Sequence, residues 1–199
     1  HKFNPDNWQK LLTDERAEFL NPVRIVALTG IAAGETVVDV GAGAGFFIDA
    51  ILEAVGPNGQ VYAVDTSQEM LDKVGEVKGE NPQVKLVKSD ELSVPLEDRI
   101  ADHVFLANVL HEIKTDERVP FLTEMRRLLR STGRITIVEW KKEETPKGPP
   151  INHRLSREDV VSYLYAAGFR MRRTDEAGPY HYLIQASLKE GIFGGDYRP

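Results

Sequence analysis

At 199 residues, with 41% hydrophobic and 28% charged side chains, the chain has the composition of one ordinary globular domain large enough to bury its own core. A formal net charge of −6 provides no positive field to gather nucleic acid or an anionic membrane surface, and the absence of cysteine excludes disulfides, thiolate metal sites and a cysteine nucleophile. No apolar run approaches the roughly 18 to 20 residues that span a bilayer, and the N-terminus lacks a basic-then-apolar signal pattern. The cytoplasm is therefore the expected compartment, without membrane insertion.

In chain order, the first thirty residues read as short helices over 8–12, 15–20 and 23–29, the last following Pro22 as a first-turn proline, and together they form a helical cap, 1–30. Residues 31–190 then alternate strand-like and helix-like stretches, the pattern of a parallel sheet covered on both faces. Strands are expected over 36–39, 61–65, 84–88, 103–107, 135–139, 170–175 and 182–188, and helices over 46–55, 68–74, 117–129 and 157–167. Thr66 with Glu69 and Ser156 with Asp159 have capping-box spacing. The stretch 143–150, with three prolines and a glycine, is a loop that leaves the carboxyl end of a central strand, where ligands bind in such sheets. A glycine-rich tail, 191–199, closes the single domain.

The sharpest local signal is Val37-Val38-Asp39-Val40-Gly41-Ala42-Gly43-Ala44-Gly45-Phe46-Phe47, an apolar strand running through three alternate glycines into a helix. Glycine permits a tight turn and lets a ligand approach backbone. Dinucleotide binders place a third glycine where helix and strand close around a pyrophosphate, and that position here is Phe46. Gly45 and the acidic Asp39 instead suit a cofactor with a positive amino group and no phosphates.

Two further acids follow successive strands. Asp65, twenty-six residues after Asp39, can accept the hydroxyls of an adenosine ribose, and Asp90, after the third strand, suits an adenine amino group. Each alone is an ordinary turn residue; the joint pattern converges on one ligand.

These segments, with Ser89–Glu91 and 101–109, resemble the successive motifs of class I S-adenosylmethionine-dependent methyltransferases over nearly the whole chain. The branch most similar is the compact small-molecule one typified by ubiquinone and menaquinone C-methyltransferases (UbiE-like). The resemblance implies an α/β fold with a doubly wound, Rossmann-like, seven-stranded sheet, mostly parallel with an antiparallel last strand. It also implies S-adenosylmethionine as cofactor, with Gly41, Gly43 and Gly45 lining its methionine portion, Asp39 near its amino group and Asp65 on the ribose. Asp90 and Glu91 would meet the adenine, Thr66 and Met70 would flank adenine or ribose, and Asn108 would close the site near the sulfonium. The turn 128–134 resembles the family's turn into the fifth strand, with Ser131 in place of a proline.

In-line methyl transfer depends chiefly on positioning, and a nearby base adds about 10²- to 10⁴-fold when the nucleophile carries a proton. His111 and Glu112, just beyond the fourth strand, are the candidates; His111 capping a helix or packing beneath the loop is the competing reading. Trp140 is a candidate wall for an apolar or cationic substrate, and His153 and Arg154 are candidates for an anionic one, or surface charges at a helix entry. His111, His153 and His181 lack metal-site spacing, so no metal is expected. The basic residues Arg126, Arg127, Arg130 and Arg134 alternate with apolar ones and read as a solvated face, so no nucleic acid is expected. The expected reaction is methyl transfer to a small-molecule acceptor, with the N-terminal helices and 143–154 as its lid, and homo-oligomerisation left open. The alternatives are a protein or RNA methyltransferase, a non-catalytic S-adenosylmethionine-binding module and a nicotinamide dehydrogenase.

Overall fold

The computed structural model describes residues 12–79 and 81–189; the expected helix over 8–12, Leu12 apart, and the tail 191–199 lie outside them. The described chain contains β1 (Thr36–Val40), β2 (Gln60–Asp65), β3 (Val84–Lys88), β4 (Ala101–Ala107), β5 (Leu129–Trp140), β6 (Phe169–Glu176) and β7 (His181–Leu188). Its helices are α1 (Asp14–Phe19), α2 (Pro22–Thr29), α3 (Ile48–Val55), α4 (Gln68–Lys78), α5 (Arg118–Leu128) and α6 (Arg157–Ala166), with a 3₁₀ turn at Ile151–His153. All seven expected strands are present, in the order β3-β2-β1-β4-β5-β7-β6. Pairings from β3 to β5 are parallel, and β7 runs antiparallel to both its neighbours. This is the doubly wound, Rossmann-like sheet, with its strand order reversing between β1 and β4. The crevice at that reversal is where such sheets bind ligands.

The two sheet faces are covered by different helices because successive strand residues point opposite ways. Val38, Val104, Ile135 and Ile184 pack with Phe121, Leu122, Met125 and Leu128 of α5 and Val160 and Leu164 of α6. Val37, Phe105, Val138 and Leu183 pack on the other side with Ile51 and Val55 of α3 and Leu20, Ile25 and Val26 from the cap. Each such buried side chain stabilises by about 1.5 to 3 kcal/mol, so Ile25 and Val26 anchor α2 on the sheet. It is capped by Asn21, whose side chain accepts from the Arg24 N–H at 2.9 Å, starts with Pro22, and ends at Gly30 in the left-handed region.

Two local expectations change and one is met. The α4 cap is Ser67, not Thr66, because Ser67 Oγ accepts from the Met70 N–H at 3.4 Å. The capping box of α6, Ser156 with Asp159, is present in both directions. The turn into β5 is a bulge inside the strand: Ala101 pairs with Leu129 but His103 with Arg134, and the intervening residues loop out of register. Among the described residues no helix is long and apolar enough to cross a membrane.

Candidate active site

A cavity of about 1220 Å³ opens at the carboxyl ends of β1, β2 and β4. Its wall brings together Asp39, Gly41, Gly43, Asp65, Thr66, Met70, Asp90, Glu91, Asn108, His111 and Glu112, every residue expected to bind cofactor or act as base except Gly45. Gly41 has φ +73°, and a Cβ there would lie 2.4 Å from Val109 Cγ2, so the loop needs glycine both for its turn and for space. Gly45 stands apart from the others. It is buried beneath the loop, where a Cβ would lie 3.2 Å from Ile48 Cδ1 and 3.3 Å from Val74 Cγ2, so it lets α3 and α4 pack and does not line the cavity.

Asp65 braces the glycine loop. Its Oδ2 accepts from the Gly43 N–H and its Oδ1 from the Ser67 N–H, both at 2.8 Å. Burial raises its pKa, against those backbone donors and the charge of Lys88. A carboxylate has about four acceptor positions, so capacity remains for ligand hydroxyls.

Asp39 is only 2% exposed, and its Oδ2 has no hydrogen-bond partner among the described residues. Burial first, and the negative charge of Asp65 second, raise its pKa to about 7, with Arg16 working the other way. An acid so placed is matched by an incoming ammonium group. Asn108 sits at φ +62° with its backbone N–H donating to Val138 O at 2.8 Å and its Oδ1 buried without a partner among the described residues. The left-handed region suits asparagine better than most residues and turns the chain out of β4 towards His111.

His111 is held by Glu139, a fully buried acid next to the end of β5. Glu139 Oε2 lies 2.7 Å from His111 Nδ1, and Oε1 accepts the His111 backbone N–H at 3.1 Å. Burial lowers the histidine pKa, but the charge and hydrogen bond of Glu139, with Glu112 behind, more than reverse that, and the net direction is up. With Nδ1 committed to the carboxylate, Nε2 is the nitrogen left for chemistry.

The roof comes from the cap and the proline loop. Arg16 and Phe19 of α1 line the cavity together with Trp140, Gly148, Pro149 and Pro150. A Cβ at Gly148 would meet the Trp140 ring at 2.8 Å, so the loop lies flat on that indole. Arg154 is buried and pins the loop by donating to the carbonyls of Pro149 (2.8 Å), Lys141 (3.1 Å), Glu143 (2.8 Å) and Lys147 (3.0 Å). It is neither a surface charge nor a substrate anchor. His153 does not line the cavity, and His181 is buried with its ring 4.0 Å from that of Trp140. Burial, then the charge of Arg16, lowers the His181 pKa to about 3, so it packs as a neutral ring behind Trp140.

Sequence reasoning missed Arg16 and the role of Glu139. Of the four basic residues weighed as a nucleic-acid patch, three are ion-paired within the fold: Arg127 with Glu124 and Asp98, Arg130 with Asp102, and Arg134 with Glu35.

A glycine loop at the strand-order reversal, with acids at the ends of β1 and β2 and no phosphate cradle, defines a domain of the adenosyl-binding, group-transferring class. A family model described as a methyltransferase domain matches residues 37–133. The solved structure of an S-adenosylmethionine-dependent methyltransferase from Aquifex aeolicus is 35% identical, covers 94% of this chain and 100% of that one, and superposes with a TM-score of 0.88. The ubiquinone/menaquinone biosynthesis C-methyltransferase UbiE of Pseudomonas fluorescens (strain Pf0-1) is 29% identical over 166 residues, 81% of this chain and 61% of that protein. A demethylmenaquinone methyltransferase of Staphylococcus aureus (strain JH9) is 31% identical over 123 residues, 62% of this chain and 50% of that protein. The chain thus spans between half and about three fifths of the length of these curated relatives. It belongs to the class I S-adenosylmethionine-dependent methyltransferases.

Proposed function

We propose that this domain transfers a methyl group from S-adenosylmethionine to a small acceptor whose proton is taken by His111. The observation that carries the reading is that the Asp39–Asp65 loop and the His111–Glu139 pair share one cavity of about 1220 Å³. Single-ligand pockets run to about 300 to 1,000 Å³, so this one has room for a cofactor and an acceptor together.

The residues present fit the cofactor. Asp39 offers its unpartnered oxygen to an ammonium group, Asp65 its remaining acceptor capacity to ribose hydroxyls, and Gly41 and Gly43 a surface without side chains. Thr66, Met70, Asp90 and Glu91 provide the wall for the base. When bound, the cofactor supplies an electrophilic methyl group on a sulfonium. Everything else falls to the protein. Phe19, Val109, Ile113, Phe121 and Trp140 give the acceptor side an apolar lining that favours a flat, largely apolar molecule. His111 Nε2 accepts the acceptor's proton, and Glu139 stabilises the imidazolium that results. The roof of α1 and the proline loop excludes water.

The names of the two curated relatives, which refer to quinone biosynthesis and to demethylmenaquinone, agree with a ring-shaped acceptor. The test is transfer of labelled methyl from S-adenosylmethionine to a panel of phenols, naphthols and quinols, with a protein and an RNA pool beside them. Label in a ring compound, lost in His111→Ala, supports the reading. Label in the macromolecular pools alone, or cofactor binding without transfer to anything, contradicts it.

A further inference from the structure

Trp140 ends β5 directly after Glu139, the acid that holds His111. β5 lies across β4 from β1, whose end carries the glycine loop, so the indole stands on the side of the base rather than of the cofactor loop. Trp140 lines the cavity although it is only 8% exposed. Most of its ring surface is therefore spent on packing.

Three neighbours hold it. His181, its partner across the antiparallel β5–β7 pairing, sets its ring 4.0 Å from the indole, centroid to centroid, at an interplanar angle of 42°. His181 is fully buried and does not line the cavity, so it backs the indole from the protein side. Both its ring nitrogens lack a hydrogen-bond partner among the described residues, which leaves it the work of a flat ring in van der Waals contact. Gly148, at φ +102°, lies so close that a Cβ there would fall 2.8 to 3.0 Å from the Cε3, Cζ3 and Cδ2 atoms of the indole. Arg154 places its guanidinium carbon 5.4 Å from the ring and ties the same loop through the carbonyls of Lys147 and Pro149. A side chain packed at interior density keeps its rotamer, and a wall that cannot yield discriminates by size.

We propose that Trp140 is the residue that limits the size of the acceptor: held by His181 and Gly148, its indole is a fixed wall that admits small hydroxylated rings beside His111 and excludes extended fused-ring ones. The proposal rests on the small-acceptor reading of this cavity. It gives His181 a positioning role, exerted through the indole without contact with the acceptor. Trimming the indole, or removing the ring that backs it, opens space on the same side of the chamber. In an apolar site one methylene already changes selectivity by about 10- to 200-fold, so either change is large enough to read.

The test measures transfer of labelled methyl to a hydroxynaphthalene and to a three-ring hydroxyanthraquinone by the full chain as wild type, Trp140→Phe and His181→Ala. Wild type is expected to favour the two-ring acceptor. Each variant is expected to raise the three-ring to two-ring ratio of kcat/KM by about tenfold or more, chiefly by lowering KM for the larger acceptor, while calorimetric affinity for S-adenosylhomocysteine changes less than about twofold. An unchanged ratio in either folded variant, or loss of both acceptors in proportion, would overturn the proposal. A further arm asks nothing of these two variants. The chain has two tryptophans, so Trp8→Phe leaves Trp140 as the sole one. Titrating that protein, loaded with S-adenosylhomocysteine, with a phenol that wild type methylates is expected to change its tryptophan emission; unchanged emission at saturation also overturns the proposal. Label in no ring compound with wild type is a different failure, since it removes the small-acceptor reading and the proposal with it.

Discussion

Glu139 and His111 come from different strand ends, yet both oxygens of the carboxylate engage the same residue, Oε2 at 2.7 Å from Nδ1 and Oε1 at 3.1 Å from the backbone nitrogen. This double contact sets the ring orientation and the tautomer at once. His111→Ala is expected to lower kcat by about 10²- to 10⁴-fold. Glu139→Gln keeps the shape but loses the charge that holds the histidine above its ordinary value near 6.5. The acid limb of the pH–rate profile, which needs neutral His111, therefore moves to lower pH in Glu139→Gln while kcat falls by about tenfold or more. The raised pKa also stabilises the fold below 6.5, and that contribution is lost as pH rises through the folded value. Denaturation at several pH values should show this slope in wild type and a weaker one in the variant.

Asp39 shifts stability with pH in the same direction. Its folded pKa, about 7, lies above its ordinary value of 3.8, so its contribution to stability is fully present below 3.8 and is lost as pH rises through 7. Asp39→Asn is expected to raise the melting temperature at pH 8 while weakening S-adenosylmethionine binding more than tenfold, a trade of function against stability. In wild type near pH 7, ligand ammonium should draw the proton off Asp39. Calorimetry in buffers of different ionisation enthalpy would register that release.

The two outer glycines of the loop separate by experiment. Gly41→Ala places a methyl group against Val109 on the cavity wall in a left-handed conformation that itself costs about 1 to 2 kcal/mol, and should reduce cofactor affinity sharply. Gly45→Ala carries a similar backbone cost but meets Ile48 and Val74 below the loop, so its main effect should be on thermal stability. Parallel melting and binding measurements check both.

Arg154→Ala removes the guanidinium that holds four loop carbonyls. Hydrogen bonds to charged groups contribute about 1.5 to 3 kcal/mol, so a loss of stability in that range is expected. Limited proteolysis should cut within 143–150 sooner, and the acceptor KM should rise while cofactor affinity changes little.

Much of this molecule was legible in the chain because central parallel strands are continuous apolar runs and a glycine loop followed by spaced acids has few alternative uses. The residues that escaped are those whose partners are distant in sequence. Glu139 ends the apolar run Ile135 to Val138, and only the parallel pairing of Ala107 with Val138 brings it beside the residues after β4. An acid at the end of a buried central strand was the available signal. Arg16 lies in a short charged helix that reads as a solvated face, and its burial depends on how the cap sits on the cavity. Arg154 went the other way: a guanidinium after a loop suits an anionic ligand, and here it holds loop carbonyls instead.

The measurement that bears most directly on the central claim is calorimetric binding of S-adenosylmethionine, S-adenosylhomocysteine and nicotinamide dinucleotides to wild type and Asp65→Ala. Asp65 holds the Gly43 and Ser67 N–H groups as well as facing the cavity, so its loss disorders the loop and removes a ligand contact together. Selective binding of the two adenosyl amino acids, weakened at least tenfold in Asp65→Ala, is the predicted result. Preference for the dinucleotides, or affinity for the adenosyl ligands indifferent to Asp65, would contradict the assignment of this cavity.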